Sequence, residues 1–323
     1  MNDLRGKFVC TVVIALLLSV VASATAEIPL PEHPRPDFQR EQWLNLNGTW
    51  EFRFDKDNVG LDRDWAESQP EFPLSITAPF PWGSKLSGVK DAADIGWYHR
   101  TIRVPADWRG QRVFVVVGAC DWLTTGWLDG RKLGTFQGGY TPFEFELTPH
   151  VKWGREQSLV LRVDDTPHRF KLEGKQGYGP ARGIWQTIYL EARPKVALEA
   201  VQFLPDIDEK KVTVRARLDQ PAPAQMEFML RFAPQDKQQL VTGKYIAAGQ
   251  EDIEFEVALA HMRLWSLDDP YLYNVEAILS GEGETDSVSS YFGMRKISVM
   301  KLPGTDYPYI ALNNKPVYLK LAL

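Results

Sequence analysis

Thr124–Leu147 reads TTGWLDGRKLGTFQGGYTPFEFEL, and its two halves decide the class of the fold. Asp129-Gly130 stands between the runs Thr124–Leu128 and Arg131–Phe136, and Asp-Gly supplies the positive φ angles that a two-residue hairpin turn demands. The turn therefore predicts an antiparallel hairpin. After Gly138-Gly139, Phe143, Phe145 and Leu147 alternate with Glu144 and Glu146, the period of a sheet with one wet face.

The same period of two extends in both directions. Trp50, Phe52 and Phe54 alternate with Glu51, Arg53 and Asp55; Val212, Val214, Ala216 and Leu218 alternate with polar residues, as do Ile253, Phe255 and Val257. Val113–Val117 is apolar at every position, which suits a strand covered on both faces. No sustained helical periodicity appears, only one short turn expected over Leu61–Ala66, so the class is all-β. At Arg193-Pro194-Lys195 the proline removes a ladder donor, and a boundary is expected there. The expected organisation is a signal peptide over 1–26, a jelly-roll β-sandwich over 27–194 and an immunoglobulin-like β-sandwich of about seven strands over 195–300. Gly281–Ser290, polar and acidic, reads as a hairpin loop.

Arg5 and Lys7 precede the apolar run Val12–Ala22, and Ala24-Thr25-Ala26 follows it, which reads as a secretory signal peptide. The run is well short of the roughly 20 residues that span a bilayer, and nothing later is longer. The expectation is an exported protein, periplasmic or extracellular, not membrane-spanning. Its formal charge of −5 argues against a nucleic-acid partner. Of the two cysteines, Cys10 lies in the leader, so Cys120 has no internal disulfide partner and is expected to be a small buried side chain. The five histidines show no metal-ligand spacing, and no Walker loop, dinucleotide fingerprint or Gly-x-Ser-x-Gly elbow occurs. Neither a metal nor a cofactor is expected.

Eleven Trp, eleven Tyr and sixteen Phe are many for this length, and burial is the default reading for Trp97, Tyr98, Trp122, Trp127, Tyr140 and Trp185, which lie in or beside strands. Burial is the default for Trp82 too, but it sits on a loop after Pro79-Phe80-Pro81, which makes it the first aromatic to test for sugar stacking. Thr166–Arg182 has no strand pattern over seventeen residues, a length that often serves binding. Within it Arg169, Lys175 and Gln176 offer donors, and Tyr178 a ring face. Asp165, at the mouth of that loop, is carried as a further substrate-binding candidate. It does not form a catalytic pair with Asp164, because neighbours on an extended segment point to opposite faces.

Segments along the chain, in the family's order, resemble glycoside hydrolase family 2. Leu46–Phe52 (LNGTWEF) resembles the family's opening strand, Thr124–Leu147 its signature hairpin, and Gly183–Glu191 (GIWQTIYLE) the last strand of its sugar-binding domain. Leu264-Trp265, Pro270–Tyr273 (PYLY) and Tyr291–Lys296 (YFGMRK) resemble its immunoglobulin-like domain, and Leu312–Lys320 (LNNKPVYLK) the entry to its catalytic barrel. The resemblance implies β-galactosidase, β-glucuronidase or β-mannosidase relatives, a carbohydrate substrate, and 301–323 as the lead-in to a TIM barrel that the sequence does not contain. Family members mount two glutamates on barrel strands, ~5 to 5.5 Å apart as retention requires, so no catalytic residue is expected here. By resemblance the loop Thr166–Arg182 reaches towards the active-site mouth. The sodium ligand of the family's β-galactosidases does not carry over, because Gly177-Tyr178-Gly179-Pro180 lacks a carboxylate. The alternative is a stand-alone, lectin-like carbohydrate-binding protein; a purely structural pair of sandwiches is the third reading.

Overall fold

The computed structural model describes residues 28–167, 181–232 and 240–321. Their first twelve strands are β1 (Trp43–Asn45), β2 (Gly48–Phe54), β3 (Leu74–Ala78), β4 (Ile95–Arg103), β5 (Arg112–Val117), β6 (Cys120–Asp121), β7 (Leu123–Leu128), β8 (Arg131–Gln137), β9 (Phe143–Glu146), β10 (Glu156–Asp164), β11 (Gly183–Ile184) and β12 (Ile188–Arg193). They build a jelly-roll sandwich from a six-stranded sheet, β3-β2-β4-β10-β7-β8, facing a four-stranded sheet, β1-β12-β5-β9. The short pair β11-β6 bridges them at one end.

The hairpin expected at Asp129-Gly130 is present, with φ of 48° and 76° at the two turn residues. Asp129 also fastens the turn to β10: its carboxylate accepts hydrogen bonds from the Ser158 backbone, Gln157 Nε2 and Lys152 Nζ. Alternation along each strand sorts the core. Trp50, Phe52, Tyr98, Val115 and Leu161 fill the space between the sheets, whereas Trp97 and Trp127 stack on the outer face of the six-stranded sheet under Trp65. Trp65 begins the one short α-helix among the described residues, Trp65–Ser68. Cys120 is fully buried, and burial pushes its thiol pKa up, so it stays protonated and inert.

Seven strands follow: β13 (Leu198–Asp206), β14 (Lys211–Leu218), β15 (Met226–Phe232), β16 (Leu240–Ile246), β17 (Asp252–Ala258), β18 (Tyr273–Gly281) and β19 (Glu284–Phe292). Sheets β13-β14-β17 and β16-β15-β18-β19 pack as an immunoglobulin-like sandwich around Phe228, Tyr273, Val288 and Phe292. The segment expected to be a hairpin loop, Gly281–Ser290, is mostly strand; only Glu282-Gly283 turns. Its polar Asp286 points inward and is buried because an arginine meets it there, a long-range partner that local polarity does not reveal.

That arginine is Arg40, on the lead-in strap 28–42. Its guanidinium grips Asp286 through two bonds (2.8 and 2.9 Å), Glu191 of the first sandwich (2.9 Å) and the Leu198 carbonyl (2.6 Å). The same strap buries Phe38 in the second core and pairs Gln39 with Ser289. One extended segment thus ties the two sandwiches together.

A last sheet, β20 (Ile297–Lys301), β21 (Pro308–Leu312) and β22 (Lys315–Pro316), is anchored by Asn313, which donates to the Trp265 carbonyl and accepts from the Lys296 N–H. Ile297, Val299 and Ile310 lie in cross-strand register on its outward face and are exposed.

Candidate functional site

Of the sequence candidates, the described ones, Asp165 and Trp82, lie at the bridged end of the jelly roll. β10 runs out at Asp164, and the two aspartates leave it on opposite faces, as extended backbone requires. Asp164 pairs with Arg162 (2.9 Å) on the same strand; burial raises its carboxyl pKa, but hydrogen bonds from Thr166 and the Arg162 charge outweigh this and hold it below the usual range. Asp165 turns inward and is fully buried.

There Asp165 meets Arg182, the last residue of the loop it opens, at 3.2 Å. Arg182 Nη1 also reaches Asp94 at 2.7 Å and Asp91 at 3.4 Å. The ion pair therefore joins the described residues on either side of 168–180: Asp165 is fastened by its N–H to the Asp94 carbonyl, and the Arg182 carbonyl accepts the Trp82 N–H. Gly183, next along, has φ of +83°, and a Cβ there would collide with the Tyr98 hydroxyl and the Trp82 ring. Only glycine lets the chain leave the loop this close to the core.

One arginine against three carboxylates leaves a net negative rim. Asp91 and Asp94 are each more than two-fifths exposed, so the site is open on that side and closed at Asp165. These three carboxylates surround one cation rather than oppose one another across a gap, unlike an acid-and-nucleophile pair. Among the described residues no group of three or more His, Cys, Asp or Glu side chains is placed to hold a metal ion.

Trp82 corrects the sequence reading. It is on a loop as expected, but its ring is only 2% exposed and packs against Phe52, Phe54 and Tyr98. The Pro79–Pro81 segment folds it into the core, where no sugar face can reach it. Arg169, Lys175, Gln176 and Tyr178 lie outside the described residues.

Two features escaped sequence reasoning. Arg182 was legible only as the end of a loop, since its three partners come from positions far apart in the chain. Tyr140, assigned by default to the interior, is 64% exposed and meets the half-buried Trp185 edge-on. The Gly138-Gly139 pair before it was the available signal, because it lifts the next side chain out of the ladder.

Residues 44–194 match the family described as "Glycosyl hydrolases family 2, sugar binding domain", and residues 196–295 match "Glycosyl hydrolases family 2". A β-glucuronidase from Paenibacillus borealis is 24% identical over 304 residues, which cover 85% of this chain and 48% of that protein. A β-galactosidase from Thermoanaerobacter pseudethanolicus is 24% identical over 264 residues, 79% of this chain and 35% of its own length. Among solved structures, a β-glucuronidase from Ruminococcus gnavus in complex with D-glucaro 1,5-lactone superposes with a TM-score of 0.69 at 20% identity, covering 87% of this chain and 50% of that one. The chain thus spans about half the length, or less, of these relatives.

Proposed function

Because this chain belongs to glycosyl hydrolase family 2 and carries its sugar-binding and immunoglobulin-like domains, we propose that it is the non-catalytic front portion of an exported β-glycosidase. In this reading the bridged end of the jelly roll is one wall of the active site and positions the carbohydrate substrate. The observation that carries it is the Asp165–Arg182 ion pair, which joins the described residues on either side of 168–180 beside the partly exposed Asp91 and Asp94. A second support is the apolar stripe Ile297, Val299 and Ile310: such an exposed face is what a further packed body covers, and a catalytic barrel of the same polypeptide fits that place. The leader-like residues 1–26 support export; they lie outside the described residues.

Cleavage needs two opposed carboxyl groups on a rigid frame. The purified chain alone is therefore expected not to release nitrophenol from nitrophenyl β-galactoside or β-glucuronide, whereas a longer product of the same reading frame, with roughly 250 further residues of alternating strands and helices, does. Turnover by the chain alone, free of host glycosidase, overturns the proposal. The lectin-like alternative rests on the jelly-roll architecture, and a reading frame that stops after Leu323 would favour it.

A further inference from the structure

Tyr140 is the one exposed aromatic among the described residues of the first sandwich. Its position is built rather than loose. The turn that carries it is tied to Trp122, between β6 and β7, by the Gly138 N–H donating to the Trp122 carbonyl (3.0 Å), and a Cβ on Gly139 would stand 2.8 Å from Asp121 Oδ1, so the turn lies flush against the end of β6. The neighbouring Trp185 is equally fixed: its backbone N–H donates to the Ala119 carbonyl (3.1 Å) and its indole Nε1–H to the Gly139 carbonyl (2.8 Å). The two ring centroids lie 5.7 Å apart with the planes at 67°.

The result is a preorganised corner with two aromatic walls. Exposing a large ring forgoes burial that every other aromatic among the described residues of this sandwich obtains at least in part, so the corner invites a ligand with an apolar face. A pyranose has that shape: its ring C–H groups form a flat apolar face, and its hydroxyls form a polar rim. Thr141 and Gln186, which directly follow the two aromatics in the chain, are exposed and carry the hydrogen-bonding groups such a rim uses. We propose that the Tyr140–Trp185 corner is a carbohydrate-stacking site that takes one β-linked pyranose ring. It lies on the chain directly after β11, so it extends the bridged end of the sandwich beyond the Asp165–Arg182 clamp. The corner is complete within this chain and so binds whether or not a catalytic domain accompanies it, which separates this claim from the active-site reading.

The test is a titration of the full chain with methyl β-galactopyranoside, methyl β-glucopyranoside and methyl β-glucuronide, each to about 50 mM, following the Trp185 indole N–H by NMR; a single-ring site of this kind binds with a Kd on the order of 1–10 mM. Trp185→Phe identifies the resonance. The expected result is a saturable shift of that resonance with at least one sugar, weakened about tenfold in both Tyr140→Ala and Tyr140→Leu. Leucine keeps the apolar bulk while removing the flat face, so it serves if the alanine variant does not fold. No saturable shift at Trp185, shifts confined to other tryptophans, or undiminished binding by Tyr140→Leu overturns the proposal.

Discussion

Arg40 and Arg182 are each held by several carboxylates, and they differ in what surrounds them. Arg40 and its partners Asp286 and Glu191 are all at most 4% exposed, with the remaining donor on a backbone carbonyl, so the cluster is sealed. Arg182 has one fully buried partner and two that face water. A sealed cluster can only hold parts together; one with an open side can also meet something arriving from solvent. The first joins two sandwiches and the second joins residues 165 and 182 at the candidate site; under the proposed function, this difference in solvent access separates structural charge from charge that meets a substrate.

The contrast fixes an order of effects. Arg40→Met removes the cation that Asp286 and Glu191 share, leaving Glu191 with Arg193 (2.7 Å) but Asp286 buried, and strips the Leu198 carbonyl of a donor. The expected cost is about 3–5 kcal/mol, read from the urea midpoint of the first unfolding transition. A loss below about 1 kcal/mol would mean that the carboxylates find water once the arginine is gone, and that the seam is not sealed. Arg182→Met should cost less, about 1–3 kcal/mol, because Asp91 and Asp94 rehydrate and only Asp165 is left buried. Equal losses in the two variants would erase the distinction between the clusters.

The same contrast explains what the sequence revealed. Strand periodicity and the Asp-Gly turn declare themselves within a few residues, since the pleat imposes a period of two and the turn imposes positive φ; β7, β8, β9 and β14 were legible for that reason. The two clusters join each arginine to partners from 17 (Arg182 and Asp165) to 246 (Arg40 and Asp286) positions away, and no local pattern records such a pairing. Gly281–Ser290 was misread for this reason: an inward Asp286 looks like loop chemistry until its distant partner is known. Trp82 and Tyr140 were misplaced in opposite directions. Side chains beside turns are aimed by backbone geometry, and composition does not say which way: the proline-rich segment folds Trp82 in, while the Gly-Gly pair turns Tyr140 out.

The smallest expected effect concerns the strap that carries Arg40. His33 stands edge-on to Trp43 at 4.6 Å and to Tyr189 at 5.3 Å, its Nδ1 accepts the Arg35 N–H, and its Nε2 is buried. Burial lowers its pKa; the Arg35 carbonyl contact and the charges of Glu191 and Asp37 pull the other way, while the Arg35 charge adds to the lowering, and the net direction is down. A base whose folded pKa lies below its unfolded value binds fewer protons when folded. Its contribution is therefore fully present above the unfolded pKa of about 6.5 and is lost as pH falls below it towards the folded value. His33→Phe keeps an aromatic ring between Trp43 and Tyr189 and cannot titrate. Between about pH 7.5 and about pH 5, the urea midpoint of the parent chain should fall further than that of the variant. Carboxylates held below their usual range, such as Asp37 and Asp129, do not confuse the comparison, since they lose their contribution only at more acid pH. Parallel midpoints across that range would show that the strap admits water at His33, and that sealing at the seam begins only at Arg40.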